Sequence, residues 1–237
     1  MSAWLETFLG KRIPFTQEIL FVKRSEILHK EENSMSCQIE PHLIDEIISF
    51  HGHSCPGLAI GIRAAEAALN EMNGVDQSDL VCVAETDMCG VDGIQYLTGC
   101  TYGKGNFLHR DYGKMAFSFY NRKSGKGIRL LFRPEATGEL NGEMSVLMEK
   151  SGLGTITVKE QEHLNQLRNN MQERLMKLPI EKIFVSQQLN ENPPRPARIM
   201  ESLVCQDCGE NTMESRTRRF AGRTLCIPCF SKVEQKV

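Results

Sequence analysis

Cys205-x-x-Cys208 and Cys226-x-x-Cys229, separated by 17 residues, constrain the end of this chain more tightly than any other feature. Two thiolate pairs at that spacing can close a tetrahedral zinc site, and four sulfur ligands leave no position open. Gly209, directly after the first pair, suits the tight turn of a zinc knuckle. Phe220 and Leu225 supply some core, but so small a segment buries too little apolar surface to fold alone. Metal binding would therefore supply its folding energy. A structural role is the first reading of Cys205, Cys208, Cys226 and Cys229; a redox role, or iron in place of zinc, are the alternatives.

Arg216, Arg218, Arg219 and Arg223 lie between the two pairs and raise the question of nucleic acid. Between Ser202 and Val237 there are six Lys/Arg and four Asp/Glu, a surplus of two positive charges. A zinc tetrathiolate contributes about −2, so the electrostatic footprint vanishes. A solvated hairpin or a protein partner explains these arginines as well as nucleic acid does. The net charge of the whole chain is −2, which gives no pull toward nucleic acid or anionic membrane. No apolar run nears the ~18 residues of a membrane span, and Glu6, Lys11 and Arg12 break the apolar start, so no secretory signal is expected. Nine cysteines without such a signal point to a reducing cytoplasm and to metal rather than disulfides.

The pattern divides the 237 residues into an N-terminal extension at 1–36, a core domain at 37–188, a proline-rich linker at 189–201 and the cysteine module at 202–237. Met35 is a candidate second translation start. In the core, Pro41 opens a helix ending near Phe50, and a second runs from Pro56 to about Met72, closed by Asn73-Gly74. Small residues along the second, among them Gly57, Gly61 and Ala65, suit close packing within the chain or across a dimer. Strands are expected at Leu80 to Thr86, Met115 to Asn121, Ile128 to Phe132 and about Ile183 to Val185. Thr157 and Glu160 form a capping box for a helix reaching about Leu178. Helices at both ends of a strand cluster make the class α+β, with an antiparallel cluster. Pro193, Pro194 and Pro196 make the linker an extended, semi-rigid spacer.

Phe50-His51-Gly52-His53-Ser54-Cys55-Pro56-Gly57 carries the chemistry of the core. In an extended segment His51, His53 and Cys55 would share one face. Pro56 holds Cys55 extended and starts a helix, whose dipole would favour a thiolate at Cys55. Imidazole and sulfur together suit zinc or another late transition metal. The stretch Asp87 to Thr101 follows a strand end, where functional loops gather. It contains a short helix from Val91 to Leu97 and supplies two further cysteines. Cys100, in a glycine-rich turn, is preferred over Cys89 as ligand or redox partner, and Asp92 could orient a histidine or bind substrate. His53, Cys55, Cys100 and Asp92 are thus the catalytic candidates, and His51, His53, Cys55 and Cys100 the core metal ligands. Lys104 and Lys114 could hold an anionic group, although the full phosphate-loop pattern is missing. Cys37 and Cys82 read as packing residues.

Three ordered motifs, F-H-G-H-S-C-P-G-L-A-I-G-I-R-A-A at 50–65, V-D-G-I-Q-Y-L-T-G-C-T-Y-G-K-G-N at 91–106 and D-Y-G-K-M-A-F at 111–117, resemble the FmdE family of formylmethanofuran dehydrogenase proteins. The tail resembles a treble-clef finger: knuckle, hairpin, second knuckle, helix beginning in Phe230 to Lys236. The resemblance implies an α+β core, often dimeric, with a metal-capable cleft at the His/Cys motif. It also implies association with molybdenum or tungsten formylmethanofuran dehydrogenase, and so with one-carbon metabolism and methanogenesis. Nothing in the chain resembles a molybdopterin-binding catalytic component. The expected function is therefore a cytoplasmic zinc-binding accessory protein, or one performing metal or thiol chemistry. An independent metal- or thiol-dependent enzyme and a regulatory adaptor are the competing classes.

Overall fold

The structure is a computed structural model and describes residues 37–233. The 1–36 extension, with Met35, and the last residues of the expected tail helix lie outside the described residues.

Five strands form one sheet in the order β2-β1-β3-β4-β5. They are β1 (Leu80–Ala84), β2 (Phe107–His109), β3 (Ala116–Asn121), β4 (Gly127–Phe132) and β5 (Phe184–Leu189). The β3–β4 hairpin turns through residues 122–126, and β5 adds antiparallel to β4. β2 is not among the strands expected from the sequence. It pairs parallel to β1, Cys82 opposite Phe107, because the chain between them crosses over through helix α3 (Gly90–Thr98). The cluster is thus mixed rather than wholly antiparallel, while the α+β class stands.

Period-two alternation along β1 sends Cys82 and Ala84 into the main core with Phe117, Phe119 and Leu130. Val81 and Val83 face the other way and pack with Tyr120. Helices α2 (Pro56–Glu71) and α5 (Val158–Lys177) contribute Ala64, Ala68, Leu164 and Leu175 to the main core. The capping box at the start of α5 is present: Thr157 N–H donates to Glu160 Oε2 at 2.9 Å, and Glu160 N–H to Thr157 Oγ1 at 3.3 Å. Helix α4 (Leu140–Gly152) buries only Met144 and Leu147, a stripe too narrow to register as amphipathic.

Residues 190–201 form neither helix nor strand. They are not a free spacer, because Tyr120 Oη donates to Glu191 at 2.6 Å and Arg122 Nε to the Pro194 carbonyl at 3.3 Å.

Candidate metal centre

Helix α1 (Pro41–His51) ends at Gly52, which adopts φ 90° and donates its N–H to the Ile48 carbonyl at 2.8 Å. That left-handed cap is cheap only for glycine. It reverses the chain so that His53 turns back over His51, with ring centroids 4.5 Å apart. The expected extended alternation is therefore replaced by a helix end and a turn, which also bring both imidazoles together. Cys55 is extended, as Pro56 requires, at φ −156° and ψ 161°, and caps α2 by accepting the Leu58 N–H at Sγ over 3.4 Å.

The fourth donor comes from the start of α3. A Cβ on Gly61 would stand 2.0 Å from the Gly90 carbonyl oxygen, and one on Gly90 would stand 2.8 Å from that of Gly57. Only glycine permits α2 and α3 to approach so closely. The small residues of α2 thus serve packing within the chain. This crossing sets Cys89 beside Cys55, and the donor atoms of His51, His53, Cys55 and Cys89 all lie within 4.8 Å of one another. A tetrahedral ion with bonds of about 2.0–2.3 Å needs donor separations of about 3.3–3.8 Å, so small rotations of these side chains suffice.

Asp92, in the first turn of α3, accepts from His51 Nδ1 at 2.7 Å. A carboxylate only accepts, so the His51 proton sits on Nδ1 and the Nε2 lone pair is left free. That Nε2 is buried with no hydrogen-bond partner, on a side chain 10% exposed. An orphaned buried acceptor among two thiols and a second imidazole is what a bound cation would satisfy. The Phe50 and Tyr96 rings lie 5.8 Å apart, and Tyr96 Oη donates to Glu46 at 2.6 Å, tying α3 to α1.

Burial pushes the Cys55 thiol above its ordinary range, and the neighbouring Cys89 raises it further against the Leu58 N–H, which lowers it. The expected thiolate is therefore not favoured by the helix end alone, because desolvation outweighs the dipole. A bound cation would reverse that balance.

Cys100 is the main correction. It is fully buried beneath the sheet and its thiol donates to the Leu80 carbonyl at 3.4 Å. Burial raises its pKa, and it stands outside the donor group that Cys89 completes. The Gly99 cap turns it inward after α3, toward β1 rather than toward α2. Cys89 reads in the sequence as the weaker candidate, yet its side chain makes no cap hydrogen bond and remains free to ligate. The facing glycines Gly57, Gly61, Gly90 and Gly93 are the sequence signal that points to it. Lys104 and Lys114 are exposed, in the 102–105 turn and the 110–115 loop, and neither joins the donor cluster. Cys82 is a core residue, and Cys37 packs beside Ile47 while its N–H donates to the Met176 carbonyl at 2.8 Å.

In the C-terminal module β6 (Ser202–Val204) pairs with β7 (Asn211–Met213) around the first knuckle, and β8 (Thr217–Phe220) pairs with β9 (Arg223–Cys226) ahead of the second. Gly209, at φ 77°, donates to the Cys205 carbonyl at 2.9 Å. Helix α6 (Ile227–Val233) begins before Phe230, because Pro228 suits a first turn, and so places Cys229 within the helix. The four sulfurs lie within 4.8 Å of one another, with Cys208 and Cys226 at 3.9 Å. A zinc tetrathiolate demands edges of about 3.8 Å. N–H donors from Cys226 and Cys208 hold the Cys205 thiol down to about 6. Arg223 is paired with Asp207 at 3.7 Å.

A mixed sheet packed with helices whose ends gather a His/Cys cluster, followed by a four-cysteine finger, defines a zinc-binding protein. The chain belongs to the FmdE family, described as "FmdE, Molybdenum formylmethanofuran dehydrogenase operon", whose profile matches residues 50–185. Residues 198–235 match the prokaryotic dksA/traR C4-type zinc finger. In fold the chain is similar to a "tungsten formylmethanofuran dehydrogenase subunit e (fmde)-like protein" from Syntrophus aciditrophicus. That match has a TM-score of 0.55 and 21% identity, covering 81% of this chain and 92% of the other. It is also 27% identical over 193 residues to a "Probable S-adenosyl-L-methionine-binding protein" of Archaeoglobus fulgidus. That alignment covers 76% of this chain and spans half the length of the relative. Among the described residues no helix is long and apolar enough to cross a membrane.

Proposed function

We propose that the core of this zinc-finger protein holds a second transition metal, zinc by its donor chemistry, on His51, His53, Cys55 and Cys89. In this reading the protein works in the cytoplasm as an accessory to molybdenum or tungsten enzymes of one-carbon metabolism. The observation that carries the metal reading is the buried, unpartnered Nε2 of His51, with its proton fixed on Nδ1 by Asp92. The family name supports the metabolic context. The metal would supply Lewis acidity or a docking point for a soft ligand. His53, the exposed member of the set, is the donor that can give way. A homodimer, and contact with the components of molybdenum or tungsten enzymes, belong to the same proposal.

Cobalt substitution tests it. Two sulfurs and two imidazoles on Co(II) should give a spectrum distinct from that of the four-sulfur finger. Cys89→Ser should remove the first and keep the second, whereas Cys100→Ser should alter neither. A spectrum of finger type alone would refute the core centre.

The adjacency of Cys55 and Cys89 favours a second reading, a dithiol–disulfide couple. Forming the S–S bond releases two protons and two electrons, which an incoming disulfide substrate would accept. This version requires that both thiols react in the metal-free core.

A further inference from the structure

Beside the His/Cys centre lies a partly open cavity of about 230 Å³ between α1, α2 and α5. Ile44, Ile48, Leu58, Ile62 and Met176 form its walls. Cys55 belongs both to this wall and to the donor cluster. Among the described residues that line it, the only polar side chains besides Cys55 are Ser54 and Gln172, joined by an exposed hydrogen bond, Oγ donating to Oε1 at 2.8 Å. Protein interiors keep few voids larger than a water molecule, because the dispersion contacts forgone there are not regained. A hole of roughly 150 Å³ lined by aliphatic side chains takes benzene and stays dry without it. This one therefore has room for a group of about six carbons and offers water few partners.

We propose that this cavity is the apolar subsite of the core metal centre, and that it takes the short hydrocarbon tail of a small thiol. The inference rests on the metal reading above and adds the chemical class of the ligand. The head is a thiol because the donor set is soft, two sulfurs and two imidazoles. On binding, the thiol gives its proton to solvent and its sulfur takes the place of the exposed His53 imidazole, which leaves neutral. Ligands with charged tails are excluded by the aliphatic walls.

Calorimetric titration of the full zinc-loaded chain with n-alkanethiols of increasing length, and in parallel with n-alkanols, tests the assignment. Affinity should rise about fourfold per added methylene in both series, levelling off near about six carbons. Thiols should bind tighter than alkanols at every length. Ala59→Leu, which fills the cavity, should abolish the length dependence while leaving metal content unchanged. Ile48→Ala should extend the rise to longer chains, and it serves if Ala59→Leu does not fold. Affinity independent of chain length, or unaltered by both substitutions, would overturn the subsite. Thiols no tighter than alkanols would overturn the head assignment. If no second equivalent of metal binds, the metal reading fails on its own, and the alkanol series still decides the cavity.

Discussion

The two donor clusters are held in place by different means. In the finger, all four sulfurs fall between Cys205 and Cys229, on two short hairpins and one helix turn, around a core of little more than Leu225 with Phe220 and Phe230. In the core domain, the donors sit at the end of α1, the cap of α2 and the start of α3, and those helices are fixed by a five-stranded sheet and by glycine-mediated crossing. The finger needs its ion in order to fold. The core site is built by the fold, so the ion proposed for it could leave, or exchange a ligand, without loss of shape. That difference separates a structural metal from one free to do chemistry.

The largest expected effect comes from zinc removal. Structural zinc of this kind supplies about 10–16 kcal/mol of apparent binding free energy. Chelation should therefore abolish hydrogen-exchange protection across 202–233 while protection persists in β1, β3 and β4. Simultaneous loss in both regions would break the comparison.

Gly61→Ala probes what holds the core donors. A Cβ placed 2.0 Å from the Gly90 carbonyl must push α3 away, lowering stability by about 1–3 kcal/mol or more and carrying Cys89 out of reach. Gly142→Ala in α4, where a Cβ meets nothing within 4 Å, should instead gain about 0.5–1 kcal/mol. Thermal melts of the two variants should move in opposite directions, and only the first should lose core metal.

Asp92→Ala should lower core metal affinity about 10–100-fold and leave the finger and the melting temperature nearly untouched, since Asp92 is partly exposed. Competition with a zinc chelator measures both sites at once.

The smallest effect lies at the far end of α5. Lys150 first, then the N–H and hydroxyl of Thr157, hold the Glu160 carboxyl down to about 2. Because the folded value is depressed, its contribution is present above the unfolded value of about 4.3 and disappears as pH falls toward about 2. Thr157→Ala should cost about 1 kcal/mol and reduce the pH dependence of stability in that window without abolishing it, because Lys150 and the N–H of residue 157 remain, with the metal content at neutral pH unchanged.

Local rules were enough for much of this architecture. Pro41, Pro56, the Thr157–Glu160 capping box and the 122–126 turn mark elements by short-range chemistry, and the structure has each of them. The finger is readable because its four ligands recur at fixed spacing along the chain. His51, His53 and Cys55 are also close in sequence, so their proximity follows even though the backbone between them is a helix end and a turn rather than an extended run. Cys89 against Cys100 could not be decided locally, because it depends on which side of α3 meets α2. Gly57, Gly61, Gly90 and Gly93 settle that contact from two separate helices. The parallel strand β2 escapes for a similar reason: three residues become a strand only through their pairing with β1.

Metal quantification by mass spectrometry tests the central claim most directly, on the full chain, on a Cys55→Ser/Cys89→Ser variant and on a Cys205→Ser/Cys208→Ser variant. The account predicts two equivalents of zinc in the full chain and one in each variant. One equivalent in the full chain, kept by the first variant and lost by the second, would contradict it.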